Sequence, residues 1–398
     1  MPALADLTTT PNALWPHYTR FGVGERLLLT GHSHQAWPDV AFDGQLAAWE
    51  DAAALADEKW ALAEEKAERV RRGFARLLGA TANEIALGAS THELILRFLS
   101  ALPLRARPKL VTTDGEFHTI RRQLDRLAEE GVVVVKVAAA PATTIAEHLV
   151  AATDDATAAV LVSSVLYGNA HIVPGLDRVL ARCQAVGAEL LVDAYHAVNV
   201  VPISLQADGL GDAFVVGGGY KYCQLGEGNC FLRVPPGRSD LRPVISGWFS
   251  EFAMLADRSE HAVGYGVGPA RWAGATYDPT SHYRAERVFE FFLEQGLTPG
   301  VLRQVSRHQV GLLAKRFDEL DADPALISRD RSVSPDGVGG FLALRSRHAD
   351  RLRRALRERG VLVDHRGDLL RIGPAPYLSD DQLDRAADAL KHSVQALG

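Results

Sequence analysis

At 398 residues with an apolar fraction of 47%, the chain is long enough for two domains and can fill a substantial core. Its 43 basic and 49 acidic residues are interspersed and leave a net charge of −6, which argues against a nucleic-acid surface. Cys183, Cys223 and Cys230 show neither metal-ligand spacing nor a disulfide framework, so a reducing cytoplasm is expected. The lead MPALADLTTTPNALW has no basic n-region, and no stretch reaches the roughly 18 uninterrupted apolar residues of a membrane span, so neither a signal peptide nor a membrane segment is expected.

In chain order, a polar, proline-containing lead carries LLLTGHSHQAWPD (27–39) and is assigned, as residues 1–49, to the smaller of two domains. Seven short apolar runs follow within 50–280: EIALGA (84–89), KLVTTD (109–114), VVVVKVA (132–138), AAVLVSSV (158–165), ELLVDAY (189–195), AFVVGG (213–218) and NCFLRV (229–234). Amphipathic stretches such as HTIRRQLDRLAEEG (118–131) and LDRVLARCQAVG (176–187) separate several of them. Near-continuous Val/Leu/Ala runs, rather than strict alternation, suit strands covered by helices on both faces. The pattern predicts an α/β large domain with a mainly parallel seven-stranded sheet flanked by helices. Residues 281–398 read as two long helices, a strand in GGFLALRS, a helix over 348–359, strands in VLVDHRGDLLRIG and a helix over 379–396, a smaller α+β domain.

Ligands of a parallel α/β sheet collect where its strands end at their C-terminal edge, and three loops there carry chemistry. In GASTHEL (88–94), Ser90 and Thr91 stand where a helix N-cap belongs, so the segment is either an ordinary cap or an anion site. LLVDAYHA (190–197) ends an apolar strand with Asp193, and His196 follows three residues later. A carboxylate leaving such a strand needs a cationic or hydrogen-bonding partner; by itself it could equally ligate a metal or cap a helix. GGGYKYCQLGEGN (217–229) runs a strand into glycines and presents Lys221, 28 residues after Asp193. Tyr222 stands where a P-loop has Ser or Thr, and no GxGxxG follows an early strand. A solitary lysine, a buried acid and a phosphate cup are the set that pyridoxal phosphate needs, for a Schiff base, a partner to the pyridine nitrogen and a phosphate site. His118, His171 and His196 lack the reciprocal spacing of a metal site, and no metal is expected.

These segments resemble the kynureninase family, within the class V aminotransferase group of fold-type-I pyridoxal-phosphate enzymes. YKYCQLGEGN is similar to that family's Tyr-Lys-Tyr and glycine turn, DAYH to its Asp-x-x-His, and SGWF (246–249) to its Gly-Trp-Phe. LLRIGPAPYLSDDQLD (369–384) is similar to its C-terminal Arg-x-x-Pro segment, and the likeness spans most of residues 27–390. The resemblance implies the fold of a PLP-dependent transferase, fold type I, with pyridoxal 5′-phosphate as cofactor. It further implies that Lys221 carries the cofactor and that Asp193 bonds the pyridine nitrogen, with His196 close to the same group. Thr91, with Ser90, would hold the phosphate together with Tyr220 and Tyr167, the phenol of Tyr167 joining Lys221 and Asp193 as a catalytic candidate. Phe117 would stack on the cofactor face. Trp248 and Thr276 would reach the phosphate from a neighbouring subunit, which implies a homodimer. Arg371 would grip the substrate's α-carboxylate; read by itself it could instead pair with Asp364 or Asp368, as Phe117, Tyr167 and Trp248 could be core aromatics.

The chain departs from the family at two places. EDAAALADEKW (50–60) lacks the Gly-His pair expected before Trp60, and GHSHQAWPD (31–39) puts His32 and His34 where the family has Asn-Ser, with His34 on the substrate side. The resemblance implies hydrolytic Cβ–Cγ cleavage of a kynurenine-type amino acid, the alternatives being transamination or β-elimination on another amino acid. A cysteine desulfurase is disfavoured, because its nucleophile lies on a late loop and no cysteine follows Cys230. Of other classes, a non-catalytic cofactor-binding protein would need an appended DNA-binding domain or a lost lysine, and neither is found. A structural α/β protein without cofactor is the remaining alternative.

Overall fold

Ahead of the central sheet the chain forms α1 (Leu4–Thr8), β1 (Leu27–Leu28), α2 (Val40–Leu55) and α3 (Lys59–Leu78) in the computed structural model, which describes residues 2–238, 240–257 and 262–397. In α3, Ala63, Ala67, Val70, Phe74 and Leu78 recur at helical spacing and form the buried face. Gly79 closes the helix at φ 65°, a left-handed conformation that glycine adopts without strain.

The seven apolar runs become β2 (Ile85–Gly88), β3 (Lys109–Thr113), β4 (Val133–Val137), β5 (Thr157–Ser163), β6 (Glu189–Asp193), β7 (Phe214–Gly218) and β8 (Cys230–Arg233). They form one sheet in the order β2-β8-β7-β6-β5-β3-β4. Between them lie α4 (Thr91–Ala101), α5 (His118–Glu129), α6 (Ile145–Ala152) and α7 (Leu176–Val186). β4, β3, β5, β6 and β7 pair in parallel, and β8 runs antiparallel between β7 and β2. The sheet is mainly parallel, as expected from the sequence. Alternate residues of its central strands enter two cores: Val160, Val162, Leu190 and Val192 pack with α6 and α7, whereas Ala159, Leu161 and Leu191 pack with α4 and α5. Both faces are covered, so both sets of side chains are apolar, each large one contributing about 1.5–3 kcal/mol on burial.

The glycine run of 217–219 serves close approach rather than looseness. Gly217 and Gly218 end β7. A Cβ on Gly218 would lie 2.4 Å from the Tyr195 hydroxyl and 2.6 Å from the Cys230 sulfur, and one on Gly219 would lie 2.5 Å from Leu225 Cδ1. Only glycine lets the strand end pass between these side chains.

The rest of the chain forms α8 (Thr280–Glu294), α9 (Pro299–Glu319), β9 (Ser328–Arg329), β10 (Leu342–Arg345), α10 (Ala349–Glu358), β11 (Val361–Leu362), β12 (Asp364–Arg366), β13 (Leu369–Ile372) and α11 (Asp380–Gln395). β12-β13-β10-β9 make an antiparallel sheet. β1 pairs in parallel with β11, and Thr30 bridges Gly373, so the N-terminal segment is seated on the C-terminal strands. The same segment grips the loop that carries Lys221: the Gln224 side chain accepts from the Tyr18 hydroxyl and donates to Gln35 at 2.8 Å.

Candidate active site

The C-terminal strand ends converge on a cavity of about 350 Å³. β2 runs into the start of α4, β3 into Phe117, β5 into Tyr167, β6 into Asp193 and His196, and β7 into Tyr220 and Lys221. Eight sequence-predicted residues therefore line one space: Ser90, Thr91, Phe117, Tyr167, Asp193, His196, Tyr220 and Lys221.

Lys221 is only 5% exposed, and its Nζ lies 2.8 Å from His196 Nε2. It also sits 4.5 Å from the Tyr195 ring centre and 5.4 Å from that of Phe117, so aromatic faces replace water around it. Burial is the main cause that brings its pKa down to about 7; the charge of Asp193 opposes the shift without cancelling it. Near neutral pH a large share of this amine is uncharged and nucleophilic. Burial likewise pushes His196 well below its usual range, so it is a neutral ring accepting from the lysine, and its Nδ1 has no protein partner.

Asp193 is buried and its pKa is raised, chiefly by desolvation, against the Tyr195 N–H and Lys221. Its Oδ1 accepts the Tyr195 N–H at 2.9 Å, and no other donor reaches the carboxylate among the described residues. It keeps acceptor capacity for a ligand. At the opposite end, Ser90 caps α4 by accepting from the Glu93 N–H at 3.3 Å. The remaining free N–H groups of that first turn, beside the Thr91 hydroxyl, form an anion-ready end. Phe117 packs edge-on against Tyr167 at 5.4 Å. A carboxylate with spare capacity, a neutral-leaning lysine, an aromatic wall and a helix N-terminus fit pyridoxal phosphate as a set.

Four predicted residues lie outside the lining. Trp248 and Thr276 are exposed and do not border the cavity within one chain. His34 sits at the rim, stacked on Tyr220 at 4.7 Å, with Nε2 3.3 Å from Glu227, which does line the cavity. Arg371 is buried behind the wall: Nε bonds Asp364 Oδ1 at 2.8 Å, Nη2 bonds the second carboxylate oxygen, and Nη1 donates to the Tyr167 carbonyl at 2.6 Å. Of the two acids weighed as its partners, Asp364 is the one it engages, and Asp368 pairs with Arg345. Three of its five N–H groups are so engaged, which leaves two.

Glu116 is the residue that sequence reasoning missed. It is 2% exposed and accepts from Thr113 Oγ1 at 2.8 Å, from the Ser163 N–H at 3.2 Å and from the Ser163 hydroxyl. Ser163 is the register partner of Asp193, so a second carboxyl lies next to the first, beneath the cavity floor. Burial, set against its hydrogen bonds, raises Glu116 to about 7. The only sequence signal was an acid directly before Phe117 in DGEFHT.

Residues 302–390 match the kynureninase C-terminal domain family. The chain is 29% identical to a kynureninase of Deinococcus radiodurans over 329 residues, covering 80% of this chain and 76% of that one. It is 26% identical to an isopenicillin N epimerase of Streptomyces clavuligerus over 344 residues, covering 81% and 83%. Among solved structures, a mutant of the cystine C–S lyase C-DES with glycine covalently linked to its PLP cofactor superposes with a TM-score of 0.82 at 15% identity, covering 96% of this chain and 99% of that one. At that identity the superposition establishes the shared fold.

The lysine environment makes an expected outcome measurable without substrate. Below pH 7 the folded protein holds Lys221 protonated and unreactive; above it the amine is free. Capture of pyridoxal phosphate by the cofactor-free protein, followed at 420 nm, should therefore rise with a midpoint near pH 7. A midpoint near the ordinary lysine value, about 10.4, would contradict the desolvated site.

Proposed function

We propose that this chain, a kynureninase-like member of the class V aminotransferase group, uses pyridoxal 5′-phosphate to cleave the Cβ–Cγ bond of a kynurenine-type amino acid hydrolytically, releasing alanine and an aromatic acid. The observation that carries the reading is Lys221, buried and with its pKa brought to about 7, in one cavity with Asp193 and the start of α4. The bound cofactor supplies an electron sink for the substrate's α-carbon.

The chain's own groups then have separate tasks. The N–H groups of the first turn of α4, with Ser90 and Thr91, bind the phosphate, and Tyr220 closes that end. Asp193 holds the proton on the ring nitrogen, and Phe117 covers one ring face. Lys221 Nζ takes the α-proton, oriented by its 2.8 Å bond to His196. Tyr167 presents its phenol from the same wall as a proton donor. Arg371 offers its two remaining N–H groups to the α-carboxylate, and His34 with Glu227 meets the substrate's side chain at the rim.

A second reading, transamination or β-elimination on another amino acid, keeps the same residues and changes only where the proton returns. The similarity to an isopenicillin N epimerase favours it over non-catalytic readings. A desulfurase has no nucleophile in the cavity, because burial pushes the Cys230 thiol up to about 12. The deciding experiment is product analysis of holoenzyme with L-kynurenine: alanine and anthranilate in equal amounts support the hydrolase. A keto acid, or no turnover of L-kynurenine alongside turnover of another amino acid, favours the second reading.

The working form is a homodimer in the cytoplasm, a setting that suits three free, buried cysteines. Support for the dimer is the apolar surface beside Trp248, which includes Val244, Phe252 and Val267, the last 93% exposed. In the dimer Trp248 and Thr276 would complete the partner's phosphate site. Val267→Asp touches no core, so it should leave the fold intact but shift sedimentation towards monomer and weaken cofactor retention. A wild-type protein that sediments as a fully active monomer would contradict the shared site.

A further inference from the structure

The turn that carries His34 also carries His32, which is completely buried (0% exposed), does not line the cavity, and has no task in the chemistry above. The backbone puts it there deliberately. The Gly31 N–H donates to the Gly373 carbonyl and the Gly373 N–H to the Leu29 carbonyl, each at 2.8 Å, so residues 29–31 extend along the end of β13. Gly373 must lack a side chain, because a Cβ there would lie 2.2 Å from His32 Nδ1. The imidazole packs on Phe341 at 4.6 Å between ring centres, and Nε2 lies 2.8 Å from Asp364 Oδ1.

Asp364 is the same carboxylate that holds Arg371, its register partner across β12 and β13. Burial opposes its charge, but the hydrogen bonds from His32 and Arg371 overcome that and hold it well below the usual carboxylate range. Burial lowers His32 to about 4, so the ring is neutral at physiological pH. A carboxylate only accepts, which places the imidazole proton on Nε2. Two physical effects follow. A donor on Oδ1 that is independent of Arg371 fixes the plane of the carboxylate, and with it the plane of the guanidinium fork. It also draws part of the carboxylate's charge away from Arg371, which keeps the guanidinium attractive to a second anion. Through Nη1 that guanidinium is tied to the carbonyl of Tyr167, a residue of the cavity wall.

We propose that His32 is a positioning residue for substrate recognition: through Asp364 it orients Arg371 so that the two remaining N–H groups receive the α-carboxylate of an amino-acid substrate. The proposal rests on the reading of Arg371 as the carboxylate-binding residue. With His34 two residues on, stacked on Tyr220 and paired with Glu227, the turn 30–34 then joins the carboxylate end of the site to its rim.

The test titrates holoenzyme with L-kynurenine and with kynuramine, the same molecule without its carboxylate, by the change in visible absorption. His32→Leu should weaken L-kynurenine by about ten- to a hundredfold, the worth of a hydrogen bond to a charged group, and leave kynuramine within about twofold. Cofactor affinity should hold. His32→Gln, whose amide reaches as far as Nε2, should recover most of the loss. His32→Asn, too short to reach Asp364, takes the place of His32→Leu if that variant does not fold. Equal weakening of both ligands, or no rescue by His32→Gln, would overturn the positioning role. Arg371→Ala separates the two levels: if it also fails to distinguish the ligands, the reading of Arg371 falls; if it distinguishes them and His32→Leu does not, only the role of His32 falls. Hydrogen exchange at the Arg371 Nε–H, followed by nitrogen-15 NMR without ligand, decides the matter even if L-kynurenine does not bind. Faster exchange in the donor-loss variant and protection in His32→Gln support the proposal, and unchanged exchange in both contradicts it.

Discussion

An ammonium group withdrawn from water is the constraint around which this structure is arranged. Lys221 has no carboxylate within ion-pair distance among the described residues; its contacts are a neutral imidazole and aromatic faces. Such a group keeps its burial by giving up its charge, and a pKa of about 7 records that compromise. Holding it in place takes a stiff loop. The Leu225 N–H returns to the Gly219 carbonyl at 2.9 Å, the Gln224 N–H to the Lys221 carbonyl at 3.1 Å, and the Gln224 side chain is locked by Tyr18 and Gln35. The N-terminal segment is thus part of the lysine's support, although it lies some two hundred residues away in sequence.

The acids nearby obey the same electrostatics. Asp193 and Glu116 are neighbouring buried carboxyls, each raised chiefly by desolvation, and each raises or is raised by the charge of the other or of Lys221 in the expected sense. Three donors from Thr113 and Ser163 go to Glu116, while Asp193 keeps capacity in hand. The carboxyl that is saturated is structural, tying the ends of β3 and β5 together. The one left short of donors is available to a ligand.

How much of this was legible in sequence follows from how local each signal is. All seven sheet strands were readable, because a strand covered on both faces must be an apolar run whatever its partners. Lys221 and Asp193 stood out because a charged residue at the end of such a run needs a reason. Glu116 did not, since its partner Ser163 lies on another strand and no periodicity links the two. The glycines before Lys221 were visible but read as permissive, whereas their cause is the approach of Tyr195, Cys230 and Leu225, which only packing reveals. His32 was noticed as a departure from a family pattern, yet its role depends on Asp364, more than three hundred residues on. Side-chain pairs across domains leave no trace in a single sequence.

The central claim is that Lys221 is the residue that takes the cofactor covalently. Its most direct measurement is to load the purified protein with pyridoxal phosphate, reduce with borohydride, digest and map the modified peptide by mass spectrometry. The account predicts one phosphopyridoxyl group, on Lys221. Modification of a different lysine, with Lys221 recovered unlabelled, would contradict it.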